Sequence, residues 1–171
     1  MQRGFSLVEL MVALAVGSFL LAGIAMSYTA IKSTVLTTQQ LANAQEVLRY
    51  TNQILSRSIK QTFEAPVVSG NGLILEVKQN ANSPSCQGSV PTIEYKEVYT
   101  LSNGYITCDI VNNDTGESLG SLNLLRGVEA LQFGSSRSGR LIDVTVTPVN
   151  VPTQFANGIV ISLAATRVIM R

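Results

Sequence analysis

The feature that most constrains this chain is an uncharged apolar run near its N-terminus. From Leu10 to Ile31 there are 22 consecutive residues without Asp, Glu, Lys or Arg. About 20 residues in a helix cross a hydrocarbon layer of roughly 30 Å. We therefore expect one membrane-spanning helix, with a short N-terminal flank on one side and the rest of the chain on the other. Arg3, ahead of the run, favours an N-terminus inside the cell.

Other interpretations of this region explain less of it. A secretory signal peptide has an apolar core of only about 7–15 residues, and this run is longer. A coiled coil needs apolar a and d positions over three or four heptads, which residues 32–63 do not sustain. A plain membrane anchor leaves Glu9 unexplained, because a charge at membrane depth costs about 2.5–3.5 kcal/mol on insertion scales. Glu9 therefore calls for a partner.

Glu9 lies in the segment Gly4-Phe5-Ser6-Leu7-Val8-Glu9-Leu10, which resembles the N-terminal signature of type IV prepilins and type II secretion pseudopilins. The resemblance implies cleavage after Gly4 by a prepilin peptidase on the cytoplasmic side and methylation of the new Phe5 amine. It also implies that the Glu9 carboxylate meets the N-terminal ammonium of a neighbouring subunit in a filament. That contact supplies the partner for which the desolvation cost calls.

The helical pattern continues beyond the apolar run. Neither Pro nor Gly occurs in residues 24–65, and Pro66 disfavours helix in the residue before it. We expect one helix from Phe5 to about Thr62. Its inward positions in the second half recur every three or four residues: Leu41, Ala44, Leu48, Thr51, Leu55, Ile59 and Phe63. Its polar side chains, Arg57 among them, are expected to face water or neighbouring subunits.

After Pro66 the pattern changes to short apolar stretches separated by turn residues, which is typical of strands. Asn103-Gly104 between two such stretches predicts a tight hairpin. The sequence therefore predicts an α+β, pilin-like fold in which a long N-terminal helix packs on an antiparallel sheet domain. The predicted strands are Leu73–Lys78, Ile93–Leu101, Tyr105–Val111, Leu119–Leu125, Val128–Phe133, Leu141–Thr147 and Ile159–Met170.

Together these observations divide the chain into three parts. Residues 1–4 are the expected leader, and residues 5–31 the transmembrane part of the helix. Residues 32–171 form the expected periplasmic globular domain, with the rest of the helix as its spine.

The two cysteines, Cys86 and Cys108, allow a single intramolecular pairing. If the domain lies outside the cytoplasm, their oxidation is permitted. We expect a disulfide that joins a loop to the strand after the Asn103-Gly104 turn. The alternative is two unpaired buried thiols.

Two further segments carry groups of polar residues. Oxygen donors are concentrated between Asp109 and Glu117, which fits either a turn or a calcium site, although the spacing is not that of an EF-hand loop. Arg137 and Arg140 lie in a loop rich in small residues and are candidates for contact with a partner or with DNA. No aromatic residue is interleaved there for base stacking, so solvated charges are the default interpretation.

Composition argues against catalysis. The chain has no His, which excludes His-based proton transfer and His-ligated metal sites. Its 12 Lys and Arg against 11 Asp and Glu give a net charge of +1, so no bulk field steers it onto nucleic acid. We find no nucleotide-binding or nucleophile motif. We expect no enzymatic activity, no cofactor and no metal site.

A second resemblance concerns the subfamily. Parts of the segment 45–59 resemble the helix of PilW-type minor pilins, and Leu125–Phe133 resembles a stretch shared by PilW-type minor pilins and J-type pseudopilins. The Pro that interrupts the membrane helix of many major pilins is absent, and Met26 stands at that position. Both features favour a minor subunit.

These resemblances imply a minor pilin that joins related subunits through its helix to prime or cap a type IV pilus, with roles in DNA uptake, adhesion or twitching. The expected location is the bacterial inner membrane and then the filament, at its tip. The expected partners are other minor pilins, the major pilin, the prepilin peptidase and the assembly platform of the inner membrane. The alternatives are a J-type pseudopilin at the tip of a type II secretion filament and a membrane-anchored module that binds DNA or a surface.

Overall fold

A single helix, α1 (Leu7–Gln61), occupies the first third of the chain. The computed structural model describes residues 6–136 and 138–165. Lys60 lies in the last turn, where a cation interacts favourably with the helix dipole. The Thr62 N–H donates to the Ser58 carbonyl at 3.2 Å, and Pro66 follows shortly after. The predicted helix is confirmed, and its end lies one residue before the predicted Thr62.

Eight strands follow the helix and form two antiparallel sheets. Sheet A has the order β1-β2-β3-β4-β5 and sheet B the order β6-β7-β8. The strands are β1 (Val67–Ser69), β2 (Ile74–Gln79), β3 (Tyr95–Ser102), β4 (Tyr105–Asn112), β5 (Ser118–Arg126), β6 (Val128–Ser136), β7 (Leu141–Pro148) and β8 (Ile159–Ala164).

The predicted strands all overlap observed ones, so the α+β class is confirmed. β1 was not predicted, because three residues are too few to show a period of two. The last predicted strand extended to Met170, and its final residues lie outside the described part of the chain. The predicted Asn103-Gly104 hairpin joins β3 to β4. Both of its turn residues have positive φ, 50° and 75°, as the tight turn requires.

The chain passes from sheet A to sheet B at Gly127. The carbonyl of Gly104, in the β3–β4 turn, accepts hydrogen bonds from the N–H groups of Gly127 and Val128, at 3.0 and 3.2 Å. Gly127 has a φ of 92°, a backbone conformation that residues other than glycine rarely adopt. Its carbonyl accepts the N–H of Val149 at 3.0 Å. The segment Leu125–Phe133 therefore contains the crossover that ties the two sheets together.

The chain divides into two units, a helical unit (Met1–Gln39) and a globular unit (Gln40–Arg171). The globular unit has one core, which combines α1 residues with both sheets. Leu55 and Ile59 of α1 belong to the same cluster as Tyr99 of sheet A and Phe133 of sheet B. The fully buried helix positions are Ala44, Val47, Thr51, Leu55, Ser58 and Ile59. This stripe includes Val47 and Ser58, which the sequence analysis did not select, whereas Leu41, Leu48 and Phe63 are only partly buried.

Candidate assembly site

The helical unit exposes almost all of its apolar surface. From Ser6 to Gln39 every residue is exposed except Gly17, which is partly buried. Phe19 is 81% exposed, and Leu7 is 75% exposed. An 18-residue window of the helix reaches a mean hydropathy of 2.3, and none of that window is buried. By length and composition this segment can cross a membrane.

Hydroxyl groups in this half of α1 are bound to the helix itself. Thr34 Oγ1 donates to the Ala30 carbonyl at 3.0 Å, and Thr29 Oγ1 donates to the Met26 carbonyl at 2.8 Å. Ser18 and Ser27 do the same with Ala15 and Gly23. Because these donors have partners within their own helix, they can enter an apolar environment at low cost.

Glu9 is the only acidic residue in the first turn of α1, where a carboxylate suits the positive end of the helix dipole. Its side chain is exposed and takes part in no ion pair among the described residues. Gly4 and Phe5, the predicted processing residues, lie outside the described part of the chain. The structure therefore leaves Glu9 accessible to a group from outside the chain.

The globular unit contains a second, very different carboxylate. Glu97 on β3 is 1% exposed and accepts three hydrogen bonds from three parts of the fold. Its donors are the Ser58 hydroxyl of α1 at 2.5 Å, the Cys86 backbone N–H at 2.5 Å and the Tyr99 hydroxyl at 2.8 Å. A buried carboxylate is tolerated when its oxygens are satisfied in this way. Glu97 therefore joins the helix, the loop at Cys86 and sheet A.

Arg57 approaches the same carboxylate. Its Nη2 atom lies 3.9 Å from Glu97 Oε1, and its side chain is 37% exposed. The prediction that Arg57 faces water or neighbouring subunits is compatible with this partial exposure, and the guanidinium also lies beside the buried Glu97 carboxylate. The Nε atom of Arg57 is buried without a hydrogen-bond partner among the described residues.

The Glu97 carboxylate also affects two tyrosines. Burial, reinforced by the negative charge of Glu97, raises the pKa of Tyr95 to about 12, although the Arg57 guanidinium opposes the shift. The same two causes raise the pKa of Tyr99 well above its usual value of 10.0. Tyr95 donates its hydroxyl hydrogen bond to the Ser83 carbonyl at 2.9 Å. Both phenols are therefore neutral in the folded protein at physiological pH.

The sequence analysis did not select Glu97 or Ser58. One sequence signal pointed to Glu97: it alternates with Tyr95 and Tyr99, so all three side chains share the inward face of β3.

Cys86 and Cys108 are joined by a disulfide, with their Cα atoms 6.5 Å apart. Cys86 lies in the loop between β2 and β3, and Cys108 lies on β4. The next residue, Gln87, donates from Nε2 to the carbonyls of Gly120 at 2.7 Å and Cys108 at 3.2 Å. The loop is thus fixed to sheet A by the disulfide and by the hydrogen bonds that Cys86 N–H and Gln87 Nε2 donate.

The oxygen-rich segment from Asp109 to Glu117 forms the end of β4 and the turn to β5. Asn112 Oδ1 accepts the N–H groups of Asp114 and Thr115, at 2.9 and 3.3 Å, and the Asp109 carboxylate accepts the Ser118 hydroxyl at 2.6 Å. These contacts are those of a turn. Nowhere in residues 6–136 and 138–165 do three or more His, Cys, Asp or Glu side chains gather as metal ligands.

Arg140 is exposed in the turn between β6 and β7. Ser138 and Gly139 before it have positive φ values of 58° and 79°. Arg137, the other residue of the candidate basic patch, lies outside the described residues. Arg140 takes part in no ion pair within the described part of the chain.

Comparison with known proteins identifies the N-terminal segment. Residues 1–25 match the protein-family model of the prokaryotic N-terminal methylation motif. No curated protein sequence matches the chain. The motif occurs in type IV prepilin-like proteins, which are structural subunits, and it implies membrane anchoring and assembly with other pilin subunits. The matched motif, together with the long apolar helix and the α+β architecture, supports a type IV pilin or pseudopilin family for this chain.

Proposed function

We propose that this chain is a minor pilin, a structural subunit that joins related pilins through its N-terminal helix to prime or cap a type IV pilus. In this proposal residues 1–4 are a leader, residues 5–31 cross the inner membrane and residues 32–171 lie in the periplasm. Its partners are other minor pilins, the major pilin, the prepilin peptidase and the assembly platform. The mature subunit then resides in the filament, at its tip.

The observation that carries the proposal is the exposed apolar half of α1 with one carboxylate in its first turn. A surface of this length cannot remain in water, and lipid covers it only while the subunit is in the membrane. In a filament the same surface is covered by the helices of other subunits. Glu9 then needs a cation, and the methylated amine of Phe5 in a neighbouring subunit is the group that processing creates.

The minor role rests on two sequence features. α1 is helical through Met26, without the proline that many major pilins have there. The segment that resembles PilW-type and J-type subunits, Leu125–Phe133, contains the crossover between the two sheets. The glycine at Gly127 is required by the backbone conformation of the crossover. This resemblance therefore supports a shared fold and does not distinguish a type IV pilus from a type II secretion filament.

A J-type pseudopilin at the tip of a type II secretion filament is the second candidate, because that same segment favours it equally. Deleting the gene separates the two. Loss of surface pili or of DNA uptake with normal secretion supports the minor pilin. Loss of secreted exoproteins with normal pili supports the pseudopilin.

Processing is tested by intact-mass measurement of the protein extracted from membranes. We expect loss of Met1 to Gly4 and the addition of one methyl group. Gly4→Leu should retain the leader, because the peptidase must approach the backbone closely at this position. A protein that keeps Met1 in cells with active pili or secretion filaments contradicts the proposal.

The role of Glu9 is tested by comparing Glu9→Ala with the charge-retaining Glu9→Asp. Glu9→Ala should accumulate in the membrane, since removal of a carboxylate makes residence there easier by up to about 2.5–3.5 kcal/mol. Its copurification with other pilin subunits should fall, because a neighbour's amine is left without a carboxylate at a cost of about 3–5 kcal/mol. Equal copurification of Glu9→Ala and wild type would show that Glu9 does not make this contact.

A further inference from the structure

Strand β5 ends sheet A with an edge that pairs with no described strand. Natural proteins protect such edges with charged residues, proline or a covering loop, because an open edge attracts another strand. From Ser118 to Leu125 β5 contains neither a charged residue nor proline. Two register shifts in the β4–β5 ladder leave a regular central stretch, Gly120–Asn123, between them. This four-residue stretch, in which the Gly120 carbonyl already accepts Gln87 Nε2, is the part of the β5 edge that can pair with a further strand.

Beside this edge lies a groove of about 480 Å³, lined by residues of β5, α1 and the disulfide loop, which we call the β5 groove. Leu122 lies opposite the buried Cys108 in the ladder and is 46% exposed. Tyr50 and Ile54 of α1 and Gln87 of the disulfide loop also line the groove. A strand added to β5 would place alternate side chains into this groove.

The groove also carries a positive charge. Arg57 lines it with a partly exposed guanidinium, and its Nε atom is buried without an acceptor. Glu97 is the nearest anion, with an oxygen 3.9 Å from Nη2, but its carboxylate already accepts three hydrogen bonds and none of them comes from Arg57. No acidic residue lines the β5 groove. The groove therefore complements a carboxylate on the incoming strand.

A second copy of this chain does not supply such a strand. β1, β5 and β8, three of the four strands at sheet edges, contain no acidic residue. The fourth, β6, contains Glu129, but the 3₁₀ turn Gly70–Gly72 packs against it. A Cβ built on Gly72 would lie 2.9 Å from the Phe133 carbonyl oxygen. Among the described residues, no free edge strand of this chain therefore supplies the acidic residue, which favours a different protein as the source of the complementary strand.

We propose that the β5 groove receives an extended strand of a different pilin-like subunit, which adds to β5 and places an Asp or Glu side chain against Arg57. The proposal rests on the assembly role proposed above and goes beyond it, because it assigns a contact to the globular unit in addition to the helix. Backbone hydrogen bonds to β5 give affinity, and the apolar lining residues Ile54 and Leu122 together with Arg57 give specificity.

The experiment introduces a photoreactive benzoylphenylalanine at Leu122 in the full-length protein, in the bacterium that makes it. Val160, an exposed apolar residue on the edge strand of sheet B, is the matched control position. After irradiation the crosslinked peptides are identified by mass spectrometry. The same measurement is made with Arg57→Gln and Arg57→Lys, with the disulfide and the protein level recorded to show that the fold is intact.

We expect Leu122 to crosslink to a different chain with an N-terminal methylation motif, in a stretch with strand periodicity and an Asp or Glu within two residues of the link. Val160 should not give this product. Arg57→Gln should lower its yield at least fivefold, and Arg57→Lys should restore part of it. A product with a helical segment or with a second copy of this chain overturns the proposal, as does the absence of a product or an equal yield in Arg57→Gln.

Copurification of the unmodified protein with pilin-like subunits distinguishes failure of the strand contact at the β5 groove from failure of the proposed assembly function. If those subunits copurify but Leu122 gives no such product, only the strand contact is wrong. If none copurifies, the proposed assembly function fails as well.

Discussion

The two halves of α1 differ in whether their apolar side chains are buried by the rest of the chain. In the helical unit the apolar residues are exposed, whereas in the globular unit Leu55 and Ile59 are almost completely buried by the sheets of the same chain. The two carboxylates differ in the same way. Glu97 finds its donors within the fold, and Glu9 finds no ion-pair partner among the described residues. One half of the helix stabilises the subunit, and the other is available to its surroundings.

The largest expected effect on this contrast comes from Glu97→Ala. Removal of the carboxylate leaves the hydroxyls of Ser58 and Tyr99 without their acceptor and Arg57 without its nearest anion, so we expect a loss of about 3–5 kcal/mol in unfolding free energy. Glu9→Ala is the matched control and should leave the unfolding free energy unchanged. Urea unfolding of the full chain in detergent, followed by near-ultraviolet circular dichroism of the buried tyrosines, measures both. Equal stability of the two variants would refute the contrast.

Replacing an apolar side chain with Ala in each half of α1 tests the same comparison without changing a charge. Leu55→Ala opens a cavity in the core of the globular unit, and we expect it to cost about 2–5 kcal/mol. Leu21→Ala removes the same atoms from an exposed position of the helical unit and should not change the urea midpoint. A shift of similar size in both variants would show that the helical unit also contributes to the stability of the globular core.

The disulfide should contribute about 3 kcal/mol, because it closes a loop with a sequence separation of 22. Replacing both Cys86 and Cys108 with Ser should therefore lower the urea midpoint, and wild type treated with reductant should fall to a similar midpoint. Mass mapping without reductant checks that the bond is present in the isolated protein. Two thiols that react with an alkylating agent in untreated protein would contradict this prediction.

The smallest expected effect is a loss of stability at alkaline pH. Below pH 10 the phenols of Tyr95 and Tyr99 are protonated in both states, and their contribution does not change with pH. Above pH 10 the unfolded chain loses these protons first, because folding raises both pKa values. The unfolding free energy should therefore fall as the pH rises from 10 toward about 12, the pKa of Tyr95 in the folded protein. Brief urea titrations at pH 8 and 10.5 measure the slope. The double variant Tyr95→Phe and Tyr99→Phe should flatten it.

Much of the fold followed from local patterns. The helix, the seven longer strands and the Asn103-Gly104 hairpin depend on periodicity and turn chemistry, which neighbouring residues specify. The position of Cys86 in a loop and of Cys108 on a strand followed in the same way. β1 was not predicted, because a three-residue strand is too short to show the two-residue alternation of a strand and depends on pairing with β2.

The candidate sites also differ in whether neighbouring residues in the sequence specify them. Glu9 was selected from the sequence because a lone carboxylate beside an apolar run is costly whatever the tertiary structure. Glu97 was not, because its role depends on Ser58 and Cys86, which lie 39 and 11 residues away in the chain. The β5 groove was not predicted either, since it is lined by residues of α1, the disulfide loop and β5 that lie far apart in the sequence.

By itself the sequence determined that this chain has a membrane-length helix, an N-terminal methylation motif with one carboxylate and an antiparallel sheet domain, because each is specified by residues close together in the chain. Only the tertiary structure decided that the strands divide into two sheets at Gly127, that Glu97 is satisfied inside the core and that β5 is left with an open edge. Those features arise from packing between distant segments, where burial and hydrogen bonding are decided by partners that local sequence does not specify.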